Sequence, residues 1–191
     1  MAAAKPQSGE MTSPMNSPES ASPASVAALH PNRMTFERFL WALPLAYAVH
    51  IPEEFFAGFP GWMSRHMHAD MDNQGFWLNN GLFMAILLSL SLWASRSRSA
   101  LAAFVFLSWA SGNLFWNFIF HVVTTVYADS YSPGLVSASL LYYPVAIWAG
   151  VLAIRSGRLG TGGVLGAFAI GAGLMLFVIW SGLWNFRLPF A

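Results

Sequence analysis

Residues 100–127 read ALAAFVFLSWASGNLFWNFIFHVVTTVY, a stretch that contains no Lys, Arg, Asp or Glu. A helix needs about 20 mainly apolar residues to cross the hydrocarbon core of a bilayer. The stretch lacks the alternation of polar and apolar residues that is typical of a strand in an outer-membrane barrel. It therefore predicts a transmembrane helix that is long enough to tilt.

The composition of the whole chain is that of a membrane protein. Of its 191 residues, 56% are hydrophobic and 9% are charged, whereas about a quarter of the residues in a soluble domain are charged. These values exclude an ordinary soluble enzyme and a disordered chain, and the net charge of +1 predicts no nucleic-acid partner. Because the chain has no cysteine, disulfides and thiolate chemistry are excluded, and a metal ion would need His, carboxylate, amide or water ligands.

Five apolar stretches are long enough to span a bilayer: residues 36–57, 76–94, 100–127, 134–154 and 164–184. They predict an all-α membrane protein, a bundle of five transmembrane helices that forms one domain over residues 33–191. Residues 1–32 hold five prolines among Ser, Ala and Gln. Such a segment cannot bury enough apolar surface to offset its ordering entropy, which predicts a disordered N-terminal tail.

A short interfacial segment is predicted between the first two spans. Met63, Met67 and Met71 recur there every four residues, a spacing that fits one face of a helix lying on the membrane surface. The segment also carries His66 and Asp70, which are spaced for a shared ligand face. A solvated loop is the favoured interpretation of that pair.

The basic residues predict the orientation of the bundle. Seven of the nine precede the first span or lie between spans two and three or between spans four and five. Only Arg65 and Arg187 fall on the other side. Because cytoplasmic loops carry the excess of Lys and Arg, we expect a multi-pass protein of the cell membrane with a cytoplasmic N-terminus and an outer C-terminus.

Three ionisable residues interrupt the first span in the stretch YAVHIPEEFF, residues 47–56. His50 lies three residues before Glu53 and four before Glu54, so all three can face one way on a helix. Pro52 kinks or breaks the helix between them. Ionisable groups inside a membrane segment are costly and usually mark a functional interior.

A second polar group lies in the third span, in the stretch SGNLFWNFIFH, residues 111–121. Asn113, Asn117 and His121 recur every four residues and form one polar stripe on an otherwise apolar helix. The predicted topology brings this stripe, His50–Glu54, and Asn79 and Asn80 of the second span to the outer third of the bilayer. One polar cavity near the outer face explains all of them.

Two imidazoles and two carboxylates are suited to a divalent metal ion. Two His and one carboxylate form a catalytic zinc arrangement and also the facial triad of non-haem iron. We assign His50, Glu54 and His121 as ligands of zinc or iron, Glu53 as general acid/base, and Asn117 as an amide that either hydrogen-bonds to a metal ligand or orients the substrate. A two-metal site with both Glu residues as ligands, a metal-free proton relay, and a purely structural role for the polar groups are the alternatives.

The motif HIPEE, residues 50–54, resembles the signature of the HXXEE family of small prokaryotic integral membrane proteins. The resemblance covers the chain from about residue 36 onward. It implies that His50, Glu53 and Glu54 are the signature positions of the family, and that Asn117-x-x-x-His121 is similar to a second polar motif. The family has no established activity, so the resemblance supplies neither a substrate nor a reaction.

These observations predict a metal-dependent enzyme of the hydrolase or isomerase type. Its partners would be the lipid bilayer and an amphipathic or lipid-like small molecule that enters sideways between helices. Two alternatives come from other classes of protein. One is a metal-free carrier that uses His and Glu as a proton relay, and the other is an assembly subunit that docks through small-residue faces such as Gly162-x-x-x-Gly166.

Overall fold

A computed structural model of the chain describes Met1 and residues 35–183. The described helices belong to one compact unit, Met34–Ala191. Within the described residues the protein is all-helical and has no strand, as predicted. The predicted disordered tail, residues 1–32, lies outside the described residues except for Met1, and so do Trp184 and the residues that follow it.

Within residues 35–183, six helices follow a single helical turn at Phe36–Phe39. They are α1 (Ala42–Phe56), α2 (Phe59–Met67), α3 (Asn73–Ser97), α4 (Ala100–Ala128), α5 (Leu135–Arg155) and α6 (Thr161–Gly182). Among the described residues, four helices, α3 to α6, are long and apolar enough to cross a membrane. The short helix α2 lies between the first two predicted spans, where the sequence predicts an interfacial segment.

The predicted count of five transmembrane helices is not confirmed, because the first predicted span is interrupted. Pro44 has no N–H group and cannot donate to the carbonyl of Leu40. That carbonyl accepts from the backbone N–H of Leu43 at 3.3 Å instead, the i to i+3 pattern of a tighter turn. The helical segment is thereby divided into the turn Phe36–Phe39 and the 15-residue helix α1.

Side-chain caps define where α3 and α4 begin. Asp72 Oδ1 accepts from the backbone N–H of Gly75 at 2.6 Å, and Ser99 Oγ accepts from that of Ala102 at 3.1 Å. Each bond satisfies one of the amide groups left free at a helix N-terminus. Only Arg98 and Ser99 separate α3 from α4, and the two helices pack on each other, so they run antiparallel.

The polar connections lie at two opposite ends of the bundle. At one end the Arg158 guanidinium contacts the Glu37 carboxylate and the Arg98 carbonyl. These bonds join the first turn, the α3–α4 connection and the α5–α6 connection, which together with the adjoining ends of α3 and α5 carry five of the six arginines in the described part of the chain. At the other end the Trp62 indole N–H donates to Ser130 Oγ at 3.4 Å, which joins α2 to the α4–α5 loop.

Helix α4 is the centre of the bundle, with α3 and α6 packed on it. Its side chains Phe106, Leu107 and Leu114 are fully or almost fully buried. Large apolar side chains on the outer faces of the other long helices are exposed instead, including Leu82, Leu140, Leu165 and Leu176. Exposed apolar surface of this extent is typical of helices that face lipid.

Candidate metal centre

The first part of the site is the pair His50 and Glu54 on α1. The helix continues through Pro52 without a break, so the two residues lie one turn apart on the same face. His50 Nε2 lies 3.2 Å from Glu54 Oε1. Both side chains are buried, with exposed fractions of 1% and 4%.

His121 reaches the same carboxylate from α4. Its Nε2 lies 3.2 Å from Glu54 Oε1, and its ring centroid lies 5.1 Å from that of His50. The two imidazoles, 71 residues apart in sequence, therefore point at one oxygen atom from two helices. The structure brings together the three residues that the sequence predicts as metal ligands.

The loop before α5 and the first turn of α5 cover the far side of both imidazoles. Ser137 Oγ lies 2.8 Å from His50 Nδ1, and Ser132 Oγ lies 2.9 Å from His121 Nδ1. Between them is Gly134, at φ +103°. A Cβ atom at Gly134 would lie 2.8 Å from Glu54 Cγ and from His50 Cε1, so only glycine allows the backbone to approach this closely.

The donor set of this cluster fits a divalent metal ion. The Nε2 atoms of His50 and His121 are buried and contact Glu54 Oε1 without making a hydrogen bond, whereas buried nitrogen atoms of this kind normally make one. Two ligands about 2.0–2.1 Å from a tetrahedral ion lie roughly 3.3 Å apart, close to the two 3.2 Å separations from Glu54 Oε1. One ligand atom from each of the three residues lies within 4.8 Å of the others.

A cavity of about 80 Å³ opens beside Glu54, which is room for several water molecules. Its walls combine aromatic and Met side chains with four amides. The amides are Asn79 and Asn80 from α3 and Asn113 and Asn117 from α4. The cavity therefore confirms the prediction that these amides and the Glu54 carboxylate meet at one level of the bundle.

Glu53 faces a different environment from Glu54. Its carboxylate accepts from the Tyr131 hydroxyl at 2.6 Å and from the backbone N–H groups of Ser137 at 2.7 Å and Val136 at 3.3 Å. It therefore satisfies free amides at the N-terminus of α5. Burial, followed by the hydrogen bond to the Glu53 carboxylate, raises the pKa of Tyr131 above its ordinary value.

Two tyrosines pack behind the cluster. The ring centroid of Tyr142 lies 4.2 Å from that of His50. The Tyr142 ring is also nearly parallel to the Tyr47 ring, at a centroid distance of 6.1 Å. The Tyr47 hydroxyl donates to Asn80 Oδ1 at 2.7 Å, whereas the Tyr142 hydroxyl is buried without a hydrogen-bond partner. The tyrosines thus link the His50 imidazole to the amides of the cavity.

In the described part of the chain, three π-helical segments lie near the site: Ser111–Trp116 in α4, Ala138–Tyr142 in α5, and Ile179–Leu183, which overlaps the end of α6. The segments in α4 and α6 contain the cavity-wall residues Asn113 and Ile179, respectively. The segment in α5 contains Tyr142, which packs on His50. Wider turns of this kind are frequent at functional sites. Their distribution supports the assignment of the site to this end of the bundle.

Sequence analysis misses Ser132, Gly134 and Ser137 as site residues. Ser132 and Gly134 belong to the motif YSPG, residues 131–134, which by itself indicates only a turn. Ser137 lies outside this motif and belongs to no other motif identified in the sequence. The signal that could have found them is the left-handed glycine beside two serines, because imidazole ligands need a hydrogen-bond partner on their other nitrogen.

His66 lies outside the cluster, on α2. Its ring packs on that of Trp62 at a centroid distance of 4.9 Å. Within the described residues the one group that satisfies the spacing for a metal ion is His50, Glu54 and His121. The structure therefore places His66 on a short helix and not in the solvated loop that the sequence favours.

Comparison with known families supplies a context for these residues. A family described as "Protein of unknown function with HXXEE motif" matches residues 41–149, which is more than half of the chain. No curated protein and no solved structure matches the chain. All three residues of the cluster lie inside the matched segment, together with Ser132 and Ser137. The chain therefore belongs to the HXXEE family.

Proposed function

We propose that the protein is a membrane enzyme that uses one divalent metal ion held by His50, Glu54 and His121. The observation that carries the proposal is that two buried imidazoles direct their Nε2 atoms at a single carboxylate oxygen, 3.2 Å away, and neither makes a hydrogen bond to it. Without an ion, burying two such nitrogens costs free energy. An ion would engage both nitrogens and offset the cost of burying the carboxylate.

The cavity beside Glu54 supports a catalytic role over a structural one. A catalytic metal site keeps a coordination position open to water or substrate, and the cavity offers space at the carboxylate. A bound divalent ion would polarise a substrate carbonyl oxygen or acidify a coordinated water. Asn117, whose Oδ1 is buried without a partner, would orient the substrate through a hydrogen bond.

The general acid/base role predicted for Glu53 makes a specific demand on the site. The Glu53 carboxylate accepts three hydrogen bonds from Tyr131, Val136 and Ser137. To exchange a proton with a substrate it must give up at least one of them. The proposal includes this role for Glu53. Hydrolysis is the reaction type that we favour, and isomerisation by proton transfer is the alternative.

We further infer that the segment Phe36–Phe56 is a fifth crossing of the membrane. At about 1.5 Å per residue its 21 residues extend over roughly 31 Å, the thickness of the hydrocarbon core. The end with Arg98 and Arg158 would face the cytoplasm, which places the metal centre toward the outer side of the cell membrane. An amphipathic substrate would then reach it from the outer leaflet.

Metal content tests the proposal. The purified protein should retain about one divalent ion per chain by plasma mass spectrometry, and Glu54→Ala and His121→Ala should each lose it while remaining monodisperse in detergent. His68→Ala replaces an exposed imidazole of the α2–α3 connection and is the matched control. Equal metal content in the wild type and both ligand variants would refute the metal centre and favour proton transfer without a metal.

The assembly-subunit alternative predicts a different pattern of variants. A docking subunit should tolerate loss of His121 and fail when a bulky residue replaces Gly162, which has open space around it within the described part of the chain. An enzyme should show the reverse.

A further inference from the structure

The cavity beside Glu54 has an unusual polar lining, four side-chain amides on two helices. Two of the amides already use part of their hydrogen-bonding capacity inside the protein. Asn80 accepts from Tyr47 and donates to the Phe76 carbonyl at 3.0 Å. Asn113 donates to the Trp109 carbonyl at 2.9 Å, which leaves its oxygen available to the cavity.

Asn117 supplies the second free acceptor. Its Oδ1 is buried and has no hydrogen-bond partner, and the residue lies one helical turn after Asn113 on the cavity wall. Polar atoms that line a cavity without a partner in the protein are normally satisfied by water or by a ligand. Free amide oxygens accept from hydroxyl or amide groups, and amide NH₂ groups donate to carbonyl, ether or hydroxyl oxygens.

The charges around the cavity restrict which head group it can take. Among its described lining residues there is no Lys, Arg or His, and the one ionisable carboxylate is that of Glu54. A neighbouring cavity shares Met71, Asn79 and Gly182 with it and is lined by Asp70 and Asp72. Phosphate and carboxylate head groups are normally recognised by Arg or Lys. A cavity that has neither residue in its described lining and adjoins two aspartates therefore disfavours an anionic head group.

A cationic head group is disfavoured for another reason. The Glu54 carboxylate is already contacted by two imidazoles, and in the proposed enzyme it is also a metal ligand. A divalent ion with one carboxylate and two neutral imidazoles leaves a net positive charge, which repels an ammonium group. The remaining class is an uncharged polar head.

The apolar part of the lining indicates an attached hydrocarbon chain. Phe76 and Phe83 of α3 face the cavity opposite Met175 and Val178 of α6. Both helices have exposed apolar outer faces, and α3 and α6 lie on α4 on either side of the cavity. A chain attached to a head group in the cavity can therefore extend between them into lipid.

We propose that the cavity binds the uncharged head of an amphiphile, a group with hydroxyl and carbonyl or ether oxygens, and that Asn113 and Asn117 recognise it. This inference rests on the proposed function and names the substrate class of the same site. Phospholipids, fatty acids and long-chain amines are then poor ligands.

A matched series of C18 amphiphiles tests the inference by native mass spectrometry of the detergent-solubilised protein. The series is 1-O-oleylglycerol, which has no ester to hydrolyse, its 3-phosphate, and oleylamine. The uncharged ether should bind at least tenfold more tightly than either charged probe. Asn113→Leu and Asn117→Leu should each weaken its binding roughly three- to tenfold, the loss of one hydrogen bond.

Asn73→Leu is the matched control, because Asn73 is exposed at the start of α3 and does not line the cavity. It should bind the ether as the wild type does. Equal or tighter binding of either charged probe would overturn the inference. Unchanged ether binding in both cavity variants would also overturn it, since it would reduce the signal to nonspecific partitioning.

Metal content measured on the same samples separates this inference from the proposed function. Ether binding by protein that retains no metal would contradict the metal centre and leave the head-group assignment intact. Retention of one metal ion without preference for the ether would contradict the head-group assignment alone.

Discussion

The Ser137 hydroxyl oxygen lies 2.8 Å from Nδ1 of His50 and also lies 3.4 Å from the Gly134 carbonyl, to which it donates. A hydroxyl has one hydrogen, and when that hydrogen is directed at the carbonyl, Ser137 accepts from the imidazole. In this arrangement His50 carries its proton on Nδ1, which leaves a lone pair on Nε2. This is the tautomer that a metal ligand requires.

Ser137→Ala should weaken metal binding because it removes the acceptor that fixes this tautomer. Loss of such a partner typically reduces metal affinity 10- to 100-fold, which competition against a chelator of known affinity would measure. Ser139→Ala is the matched control, since Ser139 is exposed and donates to the Leu135 carbonyl. Equal affinities in the two variants would mean that Ser137 does not orient His50.

Gly134→Ala should displace the ligands that the Gly134 backbone covers. The new Cβ would lie 2.8–2.9 Å from side-chain carbons of Glu54, His50 and His121, closer than real carbon atoms approach. We expect loss of bound metal, with a destabilisation of about 1–3 kcal/mol from overpacking in addition to left-handed backbone strain of about 1–2 kcal/mol.

Gly157→Ala separates these two effects. Gly157 also has a positive φ, +68°, but a Cβ added there would meet no atom within 4 Å among its described neighbours. The variant should incur the backbone strain alone and retain metal. If both glycine variants lost metal equally, the close approach of Gly134 would have no specific role.

The ligand set could be predicted from the sequence because long helices have a fixed geometry. The spacing of His50 and Glu54 places them on one face of any helix that includes both. His121 lies 71 residues away from His50, but a bundle of antiparallel spans with a known rise per residue places it at a similar depth. The residues Asn79 and Asn117 follow from the same calculation.

The covering loop and the first span could not be predicted in the same way. The conformation of the loop at Ser132–Gly134 depends on contacts with two distant helices, and a sequence pattern carries no information about them. The sequence predicts that Glu53 and Glu54 face one way, yet neighbouring residues on a helix point about 100° apart, and here they contact different elements. The interruption at Leu40 is caused by Pro44, which cannot donate a backbone hydrogen bond to the Leu40 carbonyl. A hydropathy profile does not detect this effect.

The Tyr131–Glu53 hydrogen bond predicts a pH-dependent stability. Because the pKa of Tyr131 is raised in the folded protein, the stabilisation is fully present below the ordinary pKa and is lost as the pH rises through the higher folded value. Tyr131→Phe should destabilise the protein at pH 8 by about 0.5–1 kcal/mol, the low range for a half-exposed bond. The difference should vanish at strongly alkaline pH, as measured by thermal unfolding in detergent.

Tyr127→Phe provides the comparison for this experiment, because Tyr127 is exposed on the last turn of α4. Its unfolding temperature should follow that of the wild type across the same pH range. A Tyr131→Phe difference that persisted unchanged at high pH would attribute the effect to packing and not to the hydroxyl.

Gly171→Ala should loosen the contact between α4 and α6. A Cβ there would collide with Ser111 Oγ and lie 2.8 Å from the Gly112 nitrogen and 3.0 Å from the Ser108 carbonyl oxygen. Backbone atoms cannot move aside as a side chain can, so α6 must shift away, at a cost of about 1–3 kcal/mol. Because Met175 and Val178 of α6 line the cavity, binding of 1-O-oleylglycerol should weaken in the same variant. Gly173→Ala is the matched control, because Gly173 lies two residues further along α6 and has open space around it among the described residues. This variant should change neither the unfolding temperature nor the binding of 1-O-oleylglycerol. Equal effects of the two substitutions would mean that Gly171 does not set the distance between α4 and α6.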